Sequence, residues 1–196
     1  DSSMTARPPN ALFRNDRGRF SLLNKAAGAE DRSYGMGVAA GDIDGDGDLD
    51  LYIANFGANA LFRNDDSQFI DISQASATDD TLWGSSCAFA DYDRDGDLDL
   101  FVANYVSYAL TDANRDNTPY MSDMNSYDSN TEKGYPHPAN FPGSPDRLFR
   151  NNGKGLFEEV SKQSNIYDEG GKGLGVVFAD YDVDGWPDVY IANDAV

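Results

Sequence analysis

Cysteine and histidine are almost missing from this chain of 196 residues, which has one of each, Cys87 and His137. A single cysteine excludes an internal disulfide framework, and without a second histidine or cysteine the common zinc donor set is lacking too. Cys87 lies in the apolar run Ser86-Cys87-Ala88-Phe89-Ala90, which predicts a small buried side chain. Positive charge is scarce: 15 Lys and Arg stand against 34 Asp and Glu, a formal net charge of −19. The basic patch that neutralises phosphate is absent, so nucleic acid is not an expected partner. No apolar run approaches the roughly 18–20 residues of a membrane-spanning helix, and no signal peptide is recognised. A nucleophile–base pair and a Gly-rich phosphate loop are also lacking, so no catalytic residue is assigned and no enzyme is expected.

Aspartate at fixed spacing is what the chain has in abundance. The stretch Asp42-Ile-Asp44-Gly-Asp46-Gly47-Asp48-Leu-Asp50 recurs as Asp91-Tyr-Asp93-Arg-Asp95-Gly96-Asp97-Leu-Asp99 and as Asp180-Tyr-Asp182-Val-Asp184-Gly185-Trp186-Pro-Asp188. Every copy has Asp at positions 1, 3, 5 and 9 and Gly at position 6. Calcium takes six to eight oxygens at about 2.3–2.6 Å, and acids at alternate residues of a tight loop can gather around one such ion. Position 6 must turn sharply, which glycine does without steric penalty. By analogy with the EF-hand loop, position 7 offers its backbone carbonyl, so Asp48, Asp97 and Trp186 are expected to contribute through the main chain. Solvated Asp-Gly turns are the plain alternative for one copy, and three copies in one register argue against it. An EF-hand is excluded because its loop has twelve residues, ends in a bidentate Glu and joins helices. Without a cation, carboxylates about 5 Å apart repel by on the order of 3 kcal/mol per pair at an effective dielectric near 20. Three calcium ions are therefore the expected cofactor.

The repeat is larger than the loop. Leu12-Phe13-Arg14-Asn15 recurs as Leu61-Phe62-Arg63-Asn64, 49 residues on, and again as Leu148-Phe149-Arg150-Asn151 after an insertion at about 105–145. Each unit reads as four short strands. A small apolar strand enters the acidic loop (Gly37–Ala40, Ser86–Ala90, Gly175–Ala179) and a β-branched, aromatic strand leaves it (Leu51–Asn55, Leu100–Asn104, Val189–Asn193). A hairpin follows, such as Ala60–Arg63 with Gln68–Ile72. Four strands at this period are the signature of propeller blades. The expected fold is all-β: about three blades of four antiparallel strands with calcium loops, forming part of a larger or assembled propeller. Residues 1–10 are expected to be a polar leader and 11–196 the repeats.

The blocks Gly-x-Gly-Val, Ala-Asp-Tyr-Asp-x-Asp-Gly-x-x-Asp, Tyr-Ile-Ala-Asn and Leu-Phe-Arg-Asn together resemble the FG-GAP or VCBS repeats of integrin-alpha-like propellers. The segment from Asp146-Arg-Leu-Phe-Arg-Asn to Ile191-Ala-Asn-Asp194 is most similar to the secreted cartilage-acidic-protein and ASPIC/UnbV-associated group. The resemblance implies calcium-stabilised blades on an extracellular or periplasmic protein. Tyr34-Gly35-Met36-Gly37 and Trp83-Gly84-Ser85-Ser86 lack the Gly-Ala-Pro portion of the name motif, which weakens any transfer of integrin-type ligand binding.

Within the insertion, Asp112, Asn114, Asp116, Thr118 and Asp123 are spaced for a fourth calcium site, against the alternative of a polar loop with Asx turns. Tyr105, Tyr108, Tyr120, Tyr127 and Tyr135 either cover a blade edge, the preferred reading, or form a sugar-stacking surface around His137. Trp83 and Trp186 are expected to pack, and Arg14, Arg63 and Arg150 to bridge carboxylates of their own blades. The functional expectation is a non-catalytic calcium-binding extracellular module for protein or glycan binding, adhesion or scaffolding. The alternatives are the propeller part of a polysaccharide-active enzyme and a self-assembling structural protein.

Overall fold

Short runs rich in Val, Ile, Phe, Tyr and Leu, most of them closed by Asn, Asp or Gly, set the strand limits in the computed structural model, which describes residues 8–108 and 138–194. The described strands are β1 (Phe13–Asp16), β2 (Arg19–Leu22), β3 (Tyr34–Gly41), β4 (Asp50–Phe56), β5 (Ala60–Asp65) and β6 (Gln68–Asp71). They continue as β7 (Gly84–Ala90), β8 (Asp99–Asn104), β9 (Arg147–Asn151), β10 (Phe157–Glu159), β11 (Gly173–Ala179) and β12 (Asp188–Asn193). Two short 3-10 segments, Asn24–Gly28 and Pro138–Asn140, are the helical content among the described residues.

The strands form two complete four-stranded antiparallel sheets, β3-β4-β5-β6 and β7-β8-β9-β10. Two-stranded sheets flank them, β1-β2 before and β11-β12 after. The all-β, blade-like fold is as expected, with a finer division: two whole blades and two half-blades, the first half-blade being an outer hairpin and the last an inner one. The two half-blades are separate sheets, and the described strands close no ring. Register repeats with the sequence. Leu51 faces Phe62 as Leu100 faces Phe149. The first strand of each inner hairpin is irregular at one place, between Gly35 and Gly37, Gly84 and Ser86, and Gly173 and Gly175. Such a bulge sharpens the local twist.

Blades pack face to face through apolar side chains. Tyr52, Ala54 and Leu61 of the first whole blade meet Cys87, Leu100, Val102 and Phe149 of the second, with Ile43 and Phe157 closing the layer. One interface further on, Phe101, Ala103 and Leu148 receive Val176, Val189 and Ile191. Leu12 and Ala26 of the first half-blade lie against Ile53 and Phe62. Cys87 is buried, as expected, and its thiol is pushed up to about 12 by desolvation. The inner strands come close enough that a Cβ on Gly37 would lie 2.9 Å from the Ser85 carbonyl oxygen. Glycine is required there by proximity.

At the blade ends away from the acidic loops, Trp83 meets Phe56 edge-on at 4.7 Å between ring centres and Tyr105 at 5.3 Å. Tyr108 packs against Phe141. Tyr105 and Tyr108 thus take the covering role. Tyr120, Tyr127, Tyr135 and His137 lie outside the described residues, as do Asp112, Asn114, Asp116, Thr118 and Asp123 of the fourth expected site.

Candidate functional site

Each acidic stretch is the turn between the two strands of an inner hairpin, and its own backbone amides shape it. Asp42 accepts from Gly45 N–H at 2.8 Å and from Gly47 N–H at 3.0 Å. Asp91 accepts from Gly96 N–H, and Asp180 from Asp184 and Gly185 N–H. Gly47, Gly96 and Gly185 have φ of 95°, 101° and 93°, the left-handed geometry that position 6 was expected to need. Position 4 is left-handed as well. Gly45 suits it, whereas Arg94 and Val183 adopt φ of 62° against the preference of L side chains.

Position 9 is the first residue of the departing strand and is held on both oxygens in the whole blades. Asp50 accepts Ile43 N–H at 2.9 Å and Asn64 N–H at 2.7 Å, while Asp99 accepts Tyr92 N–H at 3.2 Å and Asn151 N–H at 2.8 Å. Asp188 accepts Tyr181 N–H at 3.1 Å.

These constraints converge the carboxylates at positions 1, 3 and 9. In each of the groups Asp42/Asp44/Asp50, Asp91/Asp93/Asp99 and Asp180/Asp182/Asp188, one oxygen per residue lies within 4.8 Å of the others. Asp50 and Asp99 are buried, and the third group is the most open to solvent. Burial raises the Asp50 carboxyl, with the neighbouring Asp44 and Asp46 charges adding to the rise. Asp99 is raised to about 6, first by burial and then by Asp93 and Asp95.

Position 5 behaves differently. Asp46, Asp95 and Asp184 lie outside the convergent groups and accept the amide of position 7, at 2.8 Å from Asp48, 3.0 Å from Asp97 and 2.9 Å from Trp186. The Asp48 side chain turns away to accept Asp66 N–H. Trp186 is half-exposed at the third loop beneath the Arg94 guanidinium. It does not share the setting of Trp83, which begins the bridge to Phe56 at the opposite blade end.

The residues fit a hard cation. Asp44 Oδ1 and Asp91 Oδ1 are buried without a hydrogen-bond partner, each in a convergent group. A buried carboxylate oxygen with no donor is costly unless a cation meets it. The donor set is all oxygen, the chemistry that suits calcium or magnesium rather than zinc or copper.

Sequence reading missed the support behind position 9. In the two whole blades the Asn that ends the Leu-Phe-Arg-Asn block holds it: Asn64 Nδ2 donates to Leu49 O, while Asn151 Nδ2 donates to Leu98 O at 3.0 Å and to Ile43 O of the neighbouring blade at 2.7 Å. Its recurrence at 15, 64 and 151 was the available signal. The arginines before it bridge as expected, Arg14 to Asp16, Arg63 to Asp65 and Arg150 to Glu158.

A run of antiparallel blades, each inner hairpin turned by a cluster of three aspartates, defines a class: all-β repeat proteins of propeller-like build with acidic metal-type loops. The model described as FG-GAP-like repeat matches residues 3–53, 42–102 and 139–191, segments that contain all three loops, and the chain belongs to this family. No relative was found among curated proteins. Among the described residues, no helix is long and apolar enough to cross a membrane.

Proposed function

We propose that the chain is a non-catalytic, calcium-binding extracellular module that binds a protein or glycan. Calcium would be held by Asp42, Asp44 and Asp50, by Asp91, Asp93 and Asp99, and by Asp180, Asp182 and Asp188. Bound there, it neutralises carboxylates that otherwise repel and fastens the two strands of each inner hairpin, so that the blade loops form a stiff recognition surface. The observation that carries this reading is the pair of buried carboxylate oxygens, on Asp44 and Asp91, that no protein donor meets.

Calcium supply favours the outside of the cell or the periplasm, because loops of the weak extracellular class stay empty at cytosolic concentrations. The resemblance of the segment after Asp146 to the secreted cartilage-acidic-protein and ASPIC/UnbV-associated group supports the same compartment. The non-catalytic reading is supported by the loop aspartates, whose oxygens are taken by backbone amides or turned toward the proposed cation site.

At millimolar free calcium and a dissociation constant near 0.1 mM, each site adds about 1.4 kcal/mol of stability. Calorimetric titration with calcium is expected to give at least three ions per chain, and the melting temperature to fall by several degrees in excess EGTA. A melt that EGTA leaves unchanged, together with no bound metal in elemental analysis, defeats the proposal.

A further inference from the structure

Away from the acidic loops, where the two whole blades meet, a pair of buried polar atoms finds no hydrogen-bond partner among the described residues. They are Asn59 Nδ2, in the connection from β4 to β5, and Asn104 Oδ1, at the end of β8. Asn59 is 3% exposed and Asn104 0%. The remaining atoms of each amide fix its orientation. Asn59 Oδ1 accepts the Asn55 N–H at 2.7 Å, so the unmet atom is the donor. Asn104 Nδ2 donates to Pro145 O at 2.9 Å and to Asp80 Oδ2 at 3.2 Å, so the unmet atom is the acceptor. Turning either amide over would set like against like.

Both atoms belong to one seam. Asp80, which the Asn104 side chain reaches, also accepts the Asn59 N–H on its carbonyl at 2.9 Å. Gly84 stands opposite Asn104 in the strand register, and a Cβ on it would lie 2.9 Å from Asn59 Oδ1 and 3.4 Å from Asn59 Nδ2. Gly84 is not among the left-handed glycines, so it serves here by leaving room. One repeat earlier the set recurs: Asn10 Nδ2 and Asn55 Oδ1 lie 3.6 and 3.7 Å from the Cβ position of Gly35, and Asn55 Oδ1 is likewise buried and unmet. The Tyr52 hydroxyl adds a third group at the seam. It lies beside the Asn59 side chain, donates its proton to the Thr78 carbonyl at 3.0 Å and keeps lone pairs on its oxygen.

One donor and two acceptor oxygens around a small space require a ligand that accepts once and donates twice. The amide N–H would repel a metal ion, and the Asn104 oxygen with the neighbouring Asp80 carboxylate would repel an anion. We infer that the seam between the two whole blades binds a single buried water, which accepts from Asn59 Nδ2 and donates to Asn104 Oδ1 and Tyr52 Oη. About three hydrogen bonds is the usual complement of a buried water, and buried amide groups without a partner are rare. The water joins the β4–β5 connection of one blade to the last residue of β8 in the next, at the end that the acidic loops do not reach. Both blades are four-stranded among the described residues, and the site stands whether or not calcium is the ion of the loops. At the next seam the set is broken. Asp146 takes the Asn59 position, and Asn193 Oδ1 accepts the Lys172 N–H at 2.9 Å.

The test is a high-resolution crystal structure of the full 196-residue chain, joined to oxygen-17 relaxation dispersion, which counts long-lived waters in solution. The expected result is one density peak at about 2.7–3.2 Å from Asn59 Nδ2, Asn104 Oδ1 and Tyr52 Oη. Asn59→Leu keeps the shape of the side chain and removes its donor. It is expected to lower the dispersion amplitude by about one water per chain, with circular dichroism checking that the variant is folded. A dry seam, with Asn59 Nδ2 turned directly onto Tyr52 Oη or Asn104 Oδ1, overturns the inference. So does a peak whose contacts are all shorter than about 2.6 Å, the mark of a metal ion, or a folded variant with unchanged amplitude. Should Asn59→Leu fail to fold, the density in the wild-type seam decides alone.

Discussion

At the scale of single residues, the left-handed positions of the loops separate backbone strain from every other effect. A Cβ on Gly96 would meet nothing within 4 Å, so Gly96→Ala changes only the conformational preference at φ of 101°. It is expected to lower stability by about 1–2 kcal/mol. Val183 is the opposite case, a β-branched residue at φ of 62° with its side chain in solvent. Val183→Asn should raise stability by about 1 kcal/mol, since Asn tolerates this region and no packing is lost. Urea denaturation of both variants, with and without calcium, checks the pair; equal stabilities would remove strain as the explanation. The sequence disclosed position 6 because glycine occupies it every time. It concealed position 4, because Arg94 and Val183 say nothing of a positive φ that the surrounding loop imposes on them. The aspartates of position 5 were legible as acids, but not as acceptors for the amide two residues ahead, a bond that depends on how tightly the turn is wound.

At the scale of the element, the inner hairpin of each whole blade depends on an asparagine of that blade's outer hairpin. Asn151 donates to Ile43 O and Leu98 O and presents its own amide to Asp99, so one side chain ties two consecutive acidic loops. Asn151→Ala leaves two buried carbonyls without a side-chain donor, at an expected loss of about 1–3 kcal/mol. It should weaken ion binding at the first two loops more than at the third, which calorimetric titration resolves as a change confined to two sites. Uniform weakening, or none, would rule out the tie. Strand pairing and blade order were readable from the sequence because register, spacing and composition all repeat. That the outermost pairs β1-β2 and β11-β12 stand as separate sheets was not readable, because pairing between distant strands is decided by three-dimensional reach.

At the scale of the whole molecule, buried acids set how stability responds to pH when no cation is bound. Asp146 and Asp99 are both raised to about 6, first by burial. Unfolded, such carboxyls titrate near 4, so between about pH 4 and 6 the folded chain holds more protons than the unfolded one. Stability of the metal-free protein should therefore be fullest below pH 4 as far as these two groups are concerned, and fall as pH rises through 6. Asp146→Asn isolates one contribution. Asn59, at the corresponding place of the preceding repeat, accepts the Asn55 amide at 2.7 Å just as Asp146 accepts that of Asn104, so an amide fits. The variant is expected to gain about 1–3 kcal/mol near pH 8 and to show a flatter stability profile from pH 4 to 7 in EGTA. A profile as steep as that of wild type would assign the dependence elsewhere.

The seam between inner strands has a mechanical consequence. Where Gly37 lies against the Ser85 carbonyl, no lubricating layer of side chains separates one backbone from the next, so neighbouring blades cannot slide or tilt freely. Tension applied along the row would accordingly peel outer hairpins away before it shears the axis, and the molecule would yield from its rim inward.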